Sequence, residues 1–208
     1  QASFAGMTVR VGRWSPGGMA ALVRGGGRCV DATHPYAGDA SRNCRTACRA
    51  AGVGDHRRRR APGALPAGGM VRQSAAHVAD FLAQTQGNVL LATGAKELPA
   101  FAQLAPERLY PRVLPTLDGI AACEAAHIPH KNVRALQGPF SYARNRALLE
   151  QFSIRFLVTK GGGAAGGFAE KAQAAADTGV QLIVIRRPAE TGETADQILT
   201  RCREVLKG

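Results

Sequence analysis

Four short segments gather residue types that could do chemistry. The first, Val30-Asp31-Ala32-Thr33-His34-Pro35-Tyr36, sets a hydroxyl and an imidazole just before a proline suited to a first helical turn, and a phenol just after it. The second is Thr93-Gly94-Ala95-Lys96-Glu97, and the third Gln137-Gly138-Pro139-Phe140-Ser141. The fourth, Thr159-Lys160-Gly161-Gly162-Gly163-Ala164-Ala165-Gly166-Gly167, is a glycine-rich turn opened by a lysine. Glycines between a strand and a helix let backbone N–H groups approach an anion, and the helix N-terminus favours its charge. Lys160 precedes the glycines, so this is not the GxxxxGK[ST] phosphate loop, and GxGxxG is absent as well. Plainer readings stay open: a flexible connection at the glycines, a helix cap at His34, an ordinary turn at Thr93-Gly94 with Lys96 and Glu97 solvated.

Each segment follows a run that reads as a strand. The expected strands are 8–12, 28–33, 88–93, 108–114, 132–136, 154–159 and 180–186. Helical patterns lie between them at 18–24, 37–51, 74–85, 96–104, 117–127, 142–152, 165–178 and 194–206. Val89-Leu90-Leu91-Ala92 and Leu182-Ile183-Val184-Ile185 are continuous apolar runs, as in strands buried on both faces. Alternation of this kind predicts an α/β fold with parallel sheets, whose ligands sit beyond the strands' carboxyl ends where strand order reverses. Two prolines in Pro111–Pro115 predict a boundary between lobes 1–113 and 114–208. Residues 54–69, GDHRRRRAPGALPAGG, read as an irregular, solvated loop.

The chain has 208 residues, 27 Lys+Arg against 15 Asp+Glu, and a formal charge of +12. At 45% hydrophobic it is too apolar for a disordered tail. A nucleic-acid-binding module would account for the charge, but residues 54–73 interleave no aromatic ring with the basic run apart from His56, which disfavours it. Trp14, the only tryptophan, reads as packing. No apolar run is long enough to span a membrane, and the first residues lack the basic-then-apolar pattern of a secretion signal. The five cysteines form no CxxC pair. Cys44 and Cys48 share a helical face at i, i+4, and two thiols alone make a poor metal site. Reduced thiols, no metal and a cytoplasmic location are expected.

Taken in order, the four segments resemble the precorrin-6A reductase family of cobalamin biosynthesis. The match rests on DATHPYA (31–37) with Ser41, Asn43, Ala47 and Cys48, and on TGAKEL (93–98) with Phe101 and Arg112. It continues through QGPF (137–140) with Asn145, VTKGGGAAGGFAEK (158–171) and VIRRP (184–188). The resemblance implies two Rossmann-like lobes with a tetrapyrrole between them, and NADPH-dependent reduction of one double bond of precorrin-6A or cobalt-precorrin-6A. It places His34 and Tyr36 at the chemistry. Thr33, Thr93, Gly94, Thr159, Lys160, Gly161, Gly162 and Gly163 would face the cofactor. Lys96, Arg112, Gln137, Gly138, Phe140, Gly166 and Gly167 would face the substrate. The partner is this small-molecule tetrapyrrole; oligomeric state is left open.

Three departures from the family pattern stand out. The chain starts after the family's first strand and its GGTxE-like loop, so the front lobe is expected to lack its first strand. Gly161 and Gly162 replace the usual Asp or Asn followed by Ser. At 54–73 an apolar strand gives way to HRRRRAPGALPAGG, which suggests a local reading-frame slip. A catalytically impaired or fragmentary relative that binds NADP or tetrapyrrole is therefore the alternative.

Overall fold

The computed structural model describes residues 15–23, 28–33, 38–59, 68–161, 167–186 and 191–205. They divide into two compact units, Gln1–Arg60 with Pro188–Gly208, and Ala61–Arg187. The expected strand at 8–12, Trp14, His34, Tyr36, Gly162, Gly163 and Gly166 lie outside the described residues.

In the first unit, Ser15 accepts from the Gly18 N–H at 3.2 Å and so caps helix α1 (Pro16–Val23), with proline at the first helical position. Strand β1 (Arg28–Asp31) runs parallel to β2 (Gly54–Arg57), joined by helix α2 (Gly38–Ala51). Strand β2 occupies residues expected to be loop, and its composition explains the difference. GDHR has no apolar alternation; its burial depends on polar partners instead. His56 is buried, with Nδ1 2.6 Å from Glu193 Oε1, while Arg28 Nη1 lies 3.1 Å from its Nε2. Arginine can only donate, so Nε2 accepts and the ring proton sits on Nδ1, donating to Glu193. Arg57, expected to be solvated, pairs with Asp31 at 2.8 Å. Helix α7 (Ala195–Val205) closes the described part of this unit, and its Arg201 pairs with Glu193 at 2.5 Å.

The second unit is a six-stranded, all-parallel sheet in the order β3-β8-β7-β4-β5-β6. Its strands are β3 (Met70–Arg72), β4 (Asn88–Ala92), β5 (Leu109–Val113), β6 (Arg134–Ala135), β7 (Ile154–Lys160) and β8 (Gln181–Ile185). Helices α3 (Ala75–Ala83), α4 (Leu117–Ala125), α5 (Tyr142–Gln151) and α6 (Phe168–Asp177) connect them. Alternation along each strand splits the core. Val89, Leu91, Phe156 and Val158 pack with α3 and α4, whereas Leu90, Leu157, Leu182 and Val184 pack with α5 and α6. The α/β class with parallel sheets is thus borne out. Ala95–Phe101, expected as helix, is a 3-10 turn, because Pro99 inside it cannot donate an α-helical hydrogen bond.

The division expected at 113/114 does not coincide with the observed one. Pro111 lies within β5, an inner strand, and the ladder from β5 to β6 begins only at Arg112, beyond the proline. Strand order reverses between β4 and β7: β4 leads through β5 to β6 on one side, and β7 leads to β8 on the other. The carboxyl ends of β4 and β7 therefore form the switch point where open parallel sheets hold ligands.

Candidate functional site

A cleft of about 500 Å³ opens at this edge of the second unit, lined by Thr93, Gly94, Arg112, Gly138, Phe140 and Lys171 among others. β4 delivers Thr93, and Gly94 follows with φ 84°, a backbone conformation that excludes most side chains. The Thr93 hydroxyl is buried and, among the described residues, meets no hydrogen-bond partner. β5 delivers Arg112, which is 7% exposed. Its Nη1 donates to Asn145 Oδ1 at 2.9 Å, and its guanidinium lies 4.1 Å over the Phe140 ring. Among the described residues no carboxylate pairs with it.

Asn145 sits in the first turn of α5 and orders this corner. Its amide nitrogen donates to the carbonyls of Ser141 at 2.9 Å and Phe140 at 3.3 Å, while its oxygen holds Arg112. Gly167, at φ 61°, begins α6 and approaches the Phe140 carbonyl oxygen, which would lie 3.6 Å from an added Cβ. One turn into that helix is Lys171, whose ammonium burial pushes down to about 8, with the Arg112 charge adding to the effect. Burial alone lowers the Arg112 guanidinium to about 10. Two poorly hydrated cations beside an unpaired hydroxyl suit an anion with oxygen acceptors, above all a carboxylate.

Of the residues singled out from sequence, Thr93, Gly94, Arg112, Gly138 and Phe140 come together here. Thr159 is buried beside Ala92 of β4, and Lys160 pairs with Glu97 at 2.8 Å, joining the end of β7 to the 3-10 turn that follows β4. The Gly161 amide donates to the Ile185 carbonyl at 2.9 Å. Lys96 and Gln137 are exposed and do not line the cleft. Thr33 belongs to the first unit, where its hydroxyl meets Ser41 at 3.0 Å and Arg57 at 2.8 Å. Asn145 and Lys171 were missed as site residues. Lys171 follows Phe168 at i, i+3 on one helix face, which was the available signal.

A model of the family Precorrin-6x reductase CbiJ/CobK matches residues 1–206. The chain belongs to the precorrin-6x reductase family. It is 34% identical over 187 residues to the cobalt-precorrin-6A reductase of Priestia megaterium, covering 86% of this chain and 73% of that protein. It is 36% identical over 197 residues to the cobalt-precorrin-6A reductase of Salmonella typhimurium, covering 92% and 74%. A solved CobK precorrin-6A reductase superposes with a TM-score of 0.66 at 28% identity, over 90% of this chain and 78% of that one. The precorrin-6x reductase family is one of oxidoreductases, so the expected enzyme class stands. Among the described residues no helix is long and apolar enough to cross a membrane.

Proposed function

We propose that this precorrin-6x reductase reduces one double bond of precorrin-6A, or of its cobalt form, with NADPH. One observation carries the reading: Arg112 and Lys171 face a cleft at the switch point with no carboxylate of the described chain pairing with Arg112. A macrocycle bearing several carboxylates supplies that counter-charge. The Phe140 ring, held against the Arg112 guanidinium, offers a flat apolar face beside the cations.

NADPH supplies a hydride, and the chain's own residues position, desolvate and protonate. Arg112 and Lys171 would anchor side-chain carboxylates of the macrocycle, with Thr93 donating its unpaired hydroxyl. Thr159, Lys160 and the glycine-rich turn from Gly161 to Gly163 would hold the cofactor, where the positive end of a helix favours phosphate. His34 and Tyr36 are the proposed proton-handling groups, chosen by residue type and position at a strand end. The overall balance is one hydride from NADPH and one proton to a single double bond, giving a dihydro product and NADP.

Anaerobic incubation of the purified chain with NADPH and precorrin-6A tests this. A product heavier by two hydrogens, formed as one NADPH is consumed, is expected. No NADPH oxidation above background, with either the cobalt-free or the cobalt-bearing substrate, would leave a binding-only relative as the better reading. His34→Gln and Tyr36→Phe are expected to lower kcat with little change in KM.

A further inference from the structure

The first unit brings together three thiols that sequence spacing leaves apart. Cys44 and Cys48 lie one turn apart on α2, and Cys29 reaches them from β1. All three Sγ atoms fall within 4.8 Å of one another, and those of Cys29 and Cys44 are 3.4 Å apart. That contact is well beyond the ~2.05 Å of a disulfide bond, and the cysteines are free. Val23 and Ala47 wall the cluster, with Met19, Ala20 and Ala51 packed around it.

We propose that Cys29, Cys44 and Cys48 form a three-coordinate thiolate site for one soft divalent d10 cation. A metal–sulfur distance of about 2.3 Å at the centre of a triangle requires sulfurs about 4 Å apart, which small side-chain rotations here provide. Three sulfurs with no oxygen or nitrogen ligand select a thiophilic ion over a hard one. Among the described residues no His, Asp or Glu joins the three. Coordination takes the thiolate form, so a bound metal displaces the thiol protons. Binding breaks three S–H bonds, forms three metal–sulfur bonds and releases three protons, with no change of oxidation state. Cys29, half-buried, leaves an entry path.

Titration of the full, reduced chain with Cd2+ tests the site. One Cd2+ per chain is expected, with a sulfur-to-metal charge-transfer band in the ultraviolet and three protons released into weak buffer. Cys29→Ser carries the least risk to folding, and it and Cys44→Ser should each weaken binding more than about 100-fold, beyond the ~10–100-fold typical of outer-shell changes. Cys123→Ser and Cys202→Ser should leave it unchanged. Binding that survives Cys29→Ser in a chain with unaltered circular dichroism overturns the proposal. So does the absence of saturable Cd2+ binding when all five thiols react with a thiol reagent.

Discussion

The carboxyl end of β1 and the carboxyl ends of β4 and β5 use similar residue types to opposite effect. At the first, Asp31 accepts from the Thr33 N–H at 3.0 Å and pairs with Arg57 at 2.8 Å, while the Thr33 hydroxyl meets both Ser41 and Arg57. At the second, Arg112 meets an amide oxygen and a ring, and the Thr93 hydroxyl meets no partner among the described residues. An arginine and a threonine at a strand end are thus structural where the fold supplies their counter-charge. Under the proposed function they are ligand-directed where the described fold withholds it. Buried polar groups without protein partners cost stability, and they persist where a ligand completes them.

The sharpest way to break this contrast is to remove each arginine. Arg57→Met strands the Asp31 carboxylate, whose side chain is only 7% exposed, and should cost about 3–5 kcal/mol in denaturant unfolding. Arg112→Met removes a charge that has no carboxylate partner among the described residues and should cost about 1–2 kcal/mol, for the lost bond to Asn145. Equal losses in the two variants would contradict the distinction. Ligand binding should show the reverse ranking, with carboxylate affinity falling about 30-fold or more in Arg112→Met.

Acidity separates the two sites next. Burial works to raise the Asp31 carboxyl, but donors from Thr33 and Ser41 and the charge of Arg57 outweigh it and hold the group below its usual range. Its contribution to stability is therefore present above the unfolded value near ~3.9 and lost as pH falls through the lower folded value. Lys171 behaves in the opposite sense. A bound carboxylate raises its value from about 8, so the added affinity is full below pH 8 and fades as pH rises through the bound-state value. Carboxylate titrations at pH 7 and pH 9.5 should differ in wild type and agree in Lys171→Met.

The smallest effect concerns the threonines. Thr33→Val breaks a connected network and should cost about 1–3 kcal/mol, whereas Thr93→Val should leave thermal stability unchanged or slightly raised. Comparable destabilisation of both would show that Thr93 has a partner within the fold.

How much of this was legible in the sequence follows the source of burial. β4 and β8 are apolar runs whose solvent aversion is local, so composition alone locates them. β2 is GDHR, and what buries His56 is Glu193, 137 residues away, a partner no local pattern contains. Pro111 reads as a breaker but lies within an inner strand whose second ladder starts after it. In the cleft, Thr93, Gly94, Gly138 and Phe140 announce themselves by turn chemistry. Lys171 and Asn145 lie within helices, where a polar side chain turned toward the cleft looks like any surface one until packing is known. Cys29 likewise joins Cys44 and Cys48 only when β1 meets α2.

The most direct measurement is steady-state NADPH oxidation with precorrin-6A for the wild-type chain and for Arg112→Met. Turnover by the wild type is expected, with KM for precorrin-6A raised at least tenfold in the variant, or about 1.4 kcal/mol, and the Kd for NADPH unchanged. An unchanged KM in Arg112→Met, or a wild-type chain that consumes no NADPH, would contradict the assignment of this cleft to the substrate's carboxylates.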